Sequence, residues 1–173
     1  HLDGPMHFYG KGISLDQVPF EHFFFHRPLL LDIPKEPGEK VMPEDLISHS
    51  EDIKDADLLL IRTGFWKYRS EKPEVYENNG PAVSSQLAAY LQDRMSHLKA
   101  VALDFVSLAS YSDTEDGDLA HQTMLGMYHN HYICIIEDVN MEGLPSGFLR
   151  KAAAIPLIIE GIDSSPVTMW AEY

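Results

Sequence analysis

Short runs of apolar residues alternate along the chain with polar connections that contain proline and glycine. Apolar runs of this length, bounded by turn residues, predict strands that are buried on both faces of a sheet. Six such strands are expected, at residues 29–33, 57–63, 98–104, 132–136, 152–159 and 167–170. The spacing between them leaves room for helices rather than for hairpin turns alone.

One segment between the second and third predicted strands has helical periodicity, and Ser84 or Ser85 is placed to cap it. Its apolar positions recur at the spacing of a single buried face: Leu87, Tyr90, Leu91 and Met95. A polar loop at residues 107–117 is expected to precede another helix that Asp118 caps. Strand, helix and strand in this order predict a crossover connection, a partly parallel sheet and the α/β class.

The composition indicates one folded domain. The chain has 173 residues, of which 45% are hydrophobic, and it shows no repeat or linker tract. The net charge is −14, from 13 basic and 27 acidic residues, which argues against nucleic acid or an anionic membrane as a partner. No apolar run approaches the 18 residues of a membrane span and no signal peptide is visible, so a cytoplasmic location is expected.

Cys134 is the only cysteine, so no disulfide can form within the chain. It lies inside the apolar run at residues 132–136. A buried and unreactive thiol is therefore the expected state of Cys134, in preference to a nucleophile.

The first residues of the chain carry the candidate chemistry. His1, Asp3 and His7 place two imidazoles and a carboxylate within seven positions. These are ligands that zinc and manganese accept. In extended backbone, His1 and Asp3 point to the same side, and the bend at Pro5 can turn His7 back toward them. A purely structural cluster of polar residues is the alternative.

The run His1-Leu2-Asp3-Gly4-Pro5-Met6-His7-Phe8 resembles the second half of the H-x-G-T-H-x-D-x-P-x-H-F motif of the metal-dependent cyclase family, which includes bacterial kynurenine formamidases. The resemblance implies that His1 and Asp3 bind metal and that His7 is catalytic. The motif's first histidine would precede His1, so residues 1–173 are expected to form a single cyclase-like domain that lacks its N-terminal portion. The implied fold is a swivelling β/β/α-type domain with a mixed, partly barrel-like sheet.

Two later segments resemble the family's remaining metal ligands. Residues 118–125 are similar to its histidine-bearing helix, and residues 135–138 are similar to an apolar strand that ends in glutamate. The resemblance implies that His121 and Glu137 bind a second metal together with Asp3. The interval between them also holds His129 and His131, which stay alternatives to His121. Without the resemblance, His121 would be a core histidine and Glu137 a strand end at the surface.

The activity implied by the resemblance is metal-dependent hydrolysis of an amide with two divalent ions, zinc or manganese. The leading substrate is N-formyl-kynurenine, an intermediate of tryptophan catabolism, which would yield kynurenine and formate. An isatin-hydrolase-like activity on a cyclic amide is one alternative, and a non-catalytic protein that binds metal or a small ligand is another. The family also implies a homodimer or homotetramer, and an aromatic wall around the substrate is expected from Phe8, Trp66 and Tyr68.

Overall fold

The computed structural model describes all residues, 1–173. The twelve strands are β1 (Leu2–Asp3), β2 (Phe24–Phe25), β3 (Pro28–Asp32), β4 (Lys40–Val41), β5 (Leu58–Arg62), β6 (Ala82–Val83), β7 (Ala100–Leu103), β8 (Cys134–Ile136), β9 (Gly147–Phe148), β10 (Lys151–Pro156), β11 (Ser164–Ser165) and β12 (Val167–Glu172). The six α-helices are α1 (Pro43–Leu46), α2 (Ser50–Ile53), α3 (Tyr68–Glu71), α4 (Pro73–Asn78), α5 (Ser85–Arg94) and α6 (Thr114–Met124). Four short 3₁₀ turns complete the regular structure: Leu15–Gln17, Phe20–Phe23, Ile47–His49 and Phe65–Lys67.

Seven strands form the central sheet in the order β11-β1-β8-β7-β5-β3-β9. Strands β3, β5, β7 and β8 are parallel, whereas β1, β11 and β9 join antiparallel at the two sides. The parallel centre confirms the predicted crossover connections, and the mixed sheet confirms the α/β class. The sheet is open, so it does not close into a barrel.

The core lies in two layers, one on each face of the central sheet. Alternate residues of β5 point to opposite faces, so that Leu59 and Ile61 pack with α5 and α6, whereas Leu58 and Leu60 pack with Phe25 of β2. A three-stranded antiparallel sheet, β12-β10-β2, covers this second face. The molecule is therefore layered as small sheet, large sheet and helices, as the implied β/β/α arrangement requires.

Helix α5 begins where its sequence predicted. Ser84 is its N-cap, and the Ser84 hydroxyl accepts a hydrogen bond of 3.1 Å from the Leu87 amide. Cys134 is 1% exposed, and burial raises the pKa of its thiol to about 12, as expected for an unreactive cysteine. None of the helices combines the length and the apolar character that crossing a membrane requires.

The N-cap of helix α6 lies five residues earlier than predicted, at Asp113 rather than at Asp118, and the helix begins at Thr114. The prediction was wrong because Gly117 resembles a loop residue in sequence. In the fold, Gly117 allows α6 to pack closely on the preceding segment, since a Cβ at this position would lie 2.5 Å from the Cβ of Ala109. Two strands are also shorter than predicted. Strand β8 begins at Cys134 rather than at residue 132, and β10 ends at Pro156 rather than at residue 159.

Candidate metal centre

The first strand brings the N-terminal cluster to the end of β8. Strand β1 pairs antiparallel with β8, and the Glu137 amide donates a 3.0 Å hydrogen bond to the His1 carbonyl. His1 Nε2 lies 3.1 Å from Glu137 Oε2 and 3.4 Å from Asp3 Oδ1. One potential ligand atom from each of these three residues lies within 4.8 Å of the others. The predicted extended backbone thus places His1 and Asp3 on the same side.

His121 reaches the same point from α6. Its Nδ1 donates to the Gly117 carbonyl oxygen at 2.9 Å, and its Nε2 lies 3.5 Å from Glu137 Oε1. The Leu108 amide donates a 2.6 Å hydrogen bond to that same carboxylate oxygen. His121 and Glu137 are 2% and 3% exposed. The bond to Gly117 fixes the ring so that Nε2 is the nitrogen presented to the centre.

His7 follows the bend at Gly4 and Pro5. The His7 amide donates to the Gly4 carbonyl at 3.0 Å, which closes a turn. This turn places His7 Nε2 3.9 Å from Asp3 Oδ2, and His7 Nδ1 2.8 Å from Asp163 Oδ2. The fold thus brings His1, Asp3, His7, His121 and Glu137 to one place, although their roles stay predictions.

The backbone is strained next to two of these residues. Phe8 and Asp138 are the non-glycine residues with positive φ, at 55° and 59°, and they directly follow His7 and Glu137. The Phe8 ring stacks on His121 with ring centroids 4.2 Å apart. Asp138 accepts hydrogen bonds of 2.5 Å from the Tyr76 hydroxyl and from Arg69. Strain that packing maintains in this way is characteristic of functional sites.

Asp3 is the residue that most directly indicates a cation. It is 1% exposed, and neither carboxylate oxygen accepts a hydrogen bond from within the chain. A buried charge without compensation is costly, so the surroundings of Asp3 require positive charge. Together with His1, His121 and Glu137, it offers the imidazole and carboxylate donors that suit zinc or manganese. The residues present therefore fit a divalent metal.

Electrostatics at the centre follow from its two buried carboxylates. Asp3 and then Glu137 raise the pKa of His1 to about 10. Burial opposes ionisation of Glu137, but hydrogen bonds from His1, His121 and the Leu108 amide outweigh burial and lower its pKa to about 2. Burial likewise opposes a charge on His121, yet the Glu137 carboxylate raises the pKa of that ring. A bound divalent cation would replace the positive charge that the protonated imidazoles supply in its absence.

A cavity of about 380 Å³ opens onto the centre. Besides the five residues described above, its wall consists of Phe8, Val106, Ser107, Ala109, Ser110, Tyr111, Thr114 and Asp118. No lysine or arginine lines it. Tyr111 is 75% exposed and comes from the loop before α6, where nothing in the sequence distinguished it from an ordinary loop residue.

Of the three aromatic residues predicted to surround a substrate, only Phe8 lines this cavity. Trp66 lines a separate cavity beside Asp138, and Tyr68 packs on Phe65 with ring centroids 4.9 Å apart. Both belong to the 3₁₀ turn and helix that follow β5, so the fold directs them away from the centre. The assignment of Trp66 and Tyr68 to substrate binding has no geometric support here.

His129 and His131 lie outside the centre as well. They line a cavity of about 200 Å³ that is distinct from the one described above, and His129 Nδ1 lies 4.0 Å from the Asp93 carboxylate. The geometry therefore places His121, and neither of the later histidines, beside Glu137. Asp163 completes the surroundings of His7, and no local sequence pattern identifies it because it lies 156 residues further along the chain.

Comparisons with known proteins agree with this fold. The family model described as "Putative cyclase" matches residues 1–110. A protein from Haemophilus influenzae is 33% identical over 105 residues, which cover 61% of this chain and 74% of that protein. Isatin hydrolase A from Labrenzia aggregata, bound to benzyl benzoate, has a TM-score of 0.77 at 19% identity over 99% of this chain and 71% of its own. An isatin hydrolase bound to the product analogue thioisatinate has a TM-score of 0.77 at 17% identity, over 98% and 69% of the two chains.

Proposed function

Because the chain belongs to the cyclase family whose model matches its first 110 residues, we propose that it is a metal-dependent hydrolase of amide bonds. The observation that carries the proposal is the buried Asp3 carboxylate, which accepts no hydrogen bond and is surrounded by His1, His7 and Glu137. A structural cluster would instead pair its buried polar groups within the chain.

The metal ligands in this proposal are His1, Asp3, His121 and Glu137. His1 and Asp3 would hold one ion, and Asp3, His121 and Glu137 a second, with zinc or manganese as the candidates. Such an ion polarises a carbonyl and lowers the pKa of water, to about 7 for a single catalytic zinc. Glu137 is held in place by the Leu108 amide and His121 by the Gly117 carbonyl, so both are oriented before any ion binds.

His7 would move the protons that hydrolysis requires. When an amide is cleaved, a water oxygen bonds to the carbonyl carbon, the C–N bond breaks, and the leaving nitrogen gains a proton. His7 Nε2 faces Asp3 across 3.9 Å, so it lies at the edge of the cavity where water and substrate would meet. It would accept a proton from the water and deliver it to the nitrogen, as an imidazole can near neutral pH.

The substrate class proposed is an aryl amide. Phe8 and Tyr111 supply aromatic faces to the cavity, and Val106 and Ala109 supply apolar ones. The leading candidate remains an N-formyl aryl amine such as N-formyl-kynurenine. The second candidate is a cyclic aryl amide of the isatin type, which is favoured because no lysine or arginine lines the cavity to bind a substrate carboxylate. The isatin hydrolases that share the fold add support for this second candidate.

The test compares wild-type protein with His7→Ala after both have been loaded with zinc or manganese. The variant should retain its metal, measured by elemental analysis, and lose about 10²–10⁴-fold in the rate of amide hydrolysis. His97→Ala is the matched control, because His97 is exposed on the surface and should leave the rate unchanged. Formate release from N-formyl-kynurenine and ring opening of isatin would separate the two candidate substrates.

Two results would contradict the proposal. If the wild-type protein bound metal but cleaved neither substrate, the protein would be a metal- or ligand-binding member of the family. If His7→Ala kept the full rate, proton transfer would not pass through His7, and the assigned mechanism would be wrong.

A further inference from the structure

A carboxylate contacts the Nδ1 side of the His7 ring. Asp163 Oδ2 lies 2.8 Å from His7 Nδ1, on the side of the ring opposite to the metal centre. The hydrogen bond from His7 lowers the pKa of Asp163, so this carboxyl is ionised at neutral pH and can only accept. The proton of the bond therefore belongs to Nδ1.

We propose that Asp163 is a positioning residue, which holds His7 with its proton on Nδ1 and keeps Nε2 free to accept a proton at the metal centre. The inference rests on the proposed function, in which His7 moves protons. A neutral imidazole has one donor and one acceptor nitrogen, so a proton on Nε2 would prevent that atom from accepting another. Once Nε2 has gained a proton, the Asp163 carboxylate would also stabilise the resulting imidazolium.

The position of Asp163 is set by the strand that carries the metal ligands. The Gly4 amide donates to the Asp163 carbonyl at 2.8 Å. The next residue, Ser164, is in register with Asp3 in the β1–β11 ladder. A Cβ at Gly4 would lie 3.2 Å from the Asp163 carbonyl oxygen and 2.5 Å from a Leu15 methyl carbon, so only glycine fits this approach. The backbone hydrogen bonds between β1 and the segment at β11 thus fix the positions of both Asp163 and Asp3.

The ring of His7 is restrained on its other side as well. The Phe8 ring meets it edge-on with centroids 4.8 Å apart. His121 repeats the same arrangement, since its Nδ1 also donates to an oxygen while its Nε2 points inward. The two rings thus present the same nitrogen to the centre, one held by a backbone carbonyl and the other by a carboxylate.

An ordinary surface ion pair would predict a different outcome. Asp163 is 45% exposed, and ion pairs at such exposed sites contribute little to stability. If the contact were only structural, removing it would alter stability slightly and leave the state of His7 unchanged. A readout on the His7 ring itself therefore separates the two roles.

The test uses zinc-loaded protein with ¹⁵N-labelled histidine and two-dimensional ¹H–¹⁵N long-range correlation spectra, which report the protonated nitrogen of each ring. Wild-type His7 should carry its proton on Nδ1, and Asp163→Ala should lose this preference. Asp163→Asn keeps an acceptor oxygen and should retain the preference without the charge. In Asp163→Ala, kcat for aryl amide hydrolysis should fall about 10–100-fold with KM little changed.

Asp16→Ala is the matched control, because Asp16 Oδ1 accepts a 2.9 Å hydrogen bond from Gly161 in the same turn but does not contact His7. Its spectrum should match the wild type. An unchanged His7 signal in Asp163→Ala, or an equal change in Asp16→Ala, would overturn the proposal. If the wild type cleaved no aryl amide, the proposed function would fail, whereas the spectra would still decide whether Asp163 sets the state of His7.

Discussion

Asp3 is a buried carboxylate whose two oxygens accept no hydrogen bond from within the chain. Both oxygens are without a donor in a side chain that is 1% exposed, beside a histidine that is itself half in solvent. Native proteins keep few such groups, and those they keep are concentrated at functional sites. In the metal-free protein Asp3 interacts with His1, whose pKa it raises, and in the metal-loaded protein it should bind the ion.

Substitution of Asp3 separates these two effects. Asp3→Asn removes the carboxylate that contributes most to the raised pKa of His1, so at neutral pH the free energy of unfolding of the metal-free protein should fall slightly. The same change should weaken zinc binding by at least about 100-fold, because a shared anionic ligand is lost. Urea denaturation with chelator present and zinc titration calorimetry would measure the two quantities.

Asp52→Asn serves as the control for Asp3→Asn, since Asp52 is exposed on α2 and should change neither quantity measurably. Zinc binding that stays intact in Asp3→Asn would show that Asp3 is a structural residue.

At the scale of the secondary-structure elements, hydrogen bonds join the ends of neighbouring strands. Asp104 follows β7, is fully buried, and accepts hydrogen bonds from the Thr63 amide at 2.9 Å, the Thr63 hydroxyl at 2.7 Å and the Gly64 amide at 2.9 Å. Burial raises the pKa of Asp104 in spite of these three donors. Gly64 has a φ of 77°, so the turn after β5 is held by glycine and by this carboxylate together.

Removing the Asp104 carboxylate should destabilise the whole sheet. Asp104→Ala leaves three donors without a partner, two of them buried, and should cost about 2–4 kcal/mol of unfolding free energy. Chemical denaturation would measure the change, and Asp52→Ala would be the exposed counterpart, expected within about 0.5 kcal/mol of wild type. A cost equal to that of the exposed control would contradict the role assigned to Asp104.

The sequence predicted the central strands well because their apolar runs are continuous and are bounded by turn residues. The start of α6 was misplaced because Gly117 resembles a loop residue in sequence. Glycine is required there by close packing against Ala109, which is a tertiary contact. The same limit applies to the site. His1, Asp3 and His7 share one motif and could be found by their spacing, whereas Asp163 and Tyr111 reach the centre only through the fold. The prediction that Trp66 and Tyr68 bind substrate found no geometric support, because aromatic residues occur both in cores and in pockets.

For the molecule as a whole, the centre joins segments that are far apart in the chain. Strand β1, the end of β8 and helix α6 meet there, with β11 beside β1. A metal held by His1, Asp3, His121 and Glu137 would therefore cross-link the N-terminal strand to the C-terminal half. Ligands that bind only the folded state stabilise it in proportion to their occupancy.

Metal loading should raise the melting temperature. At a zinc concentration 100 times the dissociation constant, linkage supplies about 2.7 kcal/mol, which corresponds to a rise of roughly 5–10 °C for a chain of this length. Differential scanning fluorimetry with zinc or with chelator would measure it, and Asp3→Asn should show little shift. An equal shift in that variant would place the bound metal elsewhere.

The assembly of the protein is proposed to be a homodimer or homotetramer. Strand β12 is an edge strand that pairs only with β10, and the loop after β10 exposes Leu157, Ile158 and Ile159 at 59%, 44% and 49%. Exposed apolar residues beside an open sheet edge are typical of an interface between copies. Light scattering after size-exclusion chromatography should give a mass of two or four chains, and Ile158→Asp should lower it. A monomer at all concentrations would contradict the proposal.

The central claim is that the five clustered side chains form a metal-dependent site for amide hydrolysis. Its most direct test is to strip the protein of metal and to add zinc or manganese stepwise, while bound metal and the hydrolysis of N-formyl-kynurenine or isatin are measured together. We predict that hydrolysis is absent without metal and rises in proportion to bound metal until the site is saturated. Hydrolysis that is independent of bound metal, or a saturated site that cleaves neither substrate, would contradict the claim.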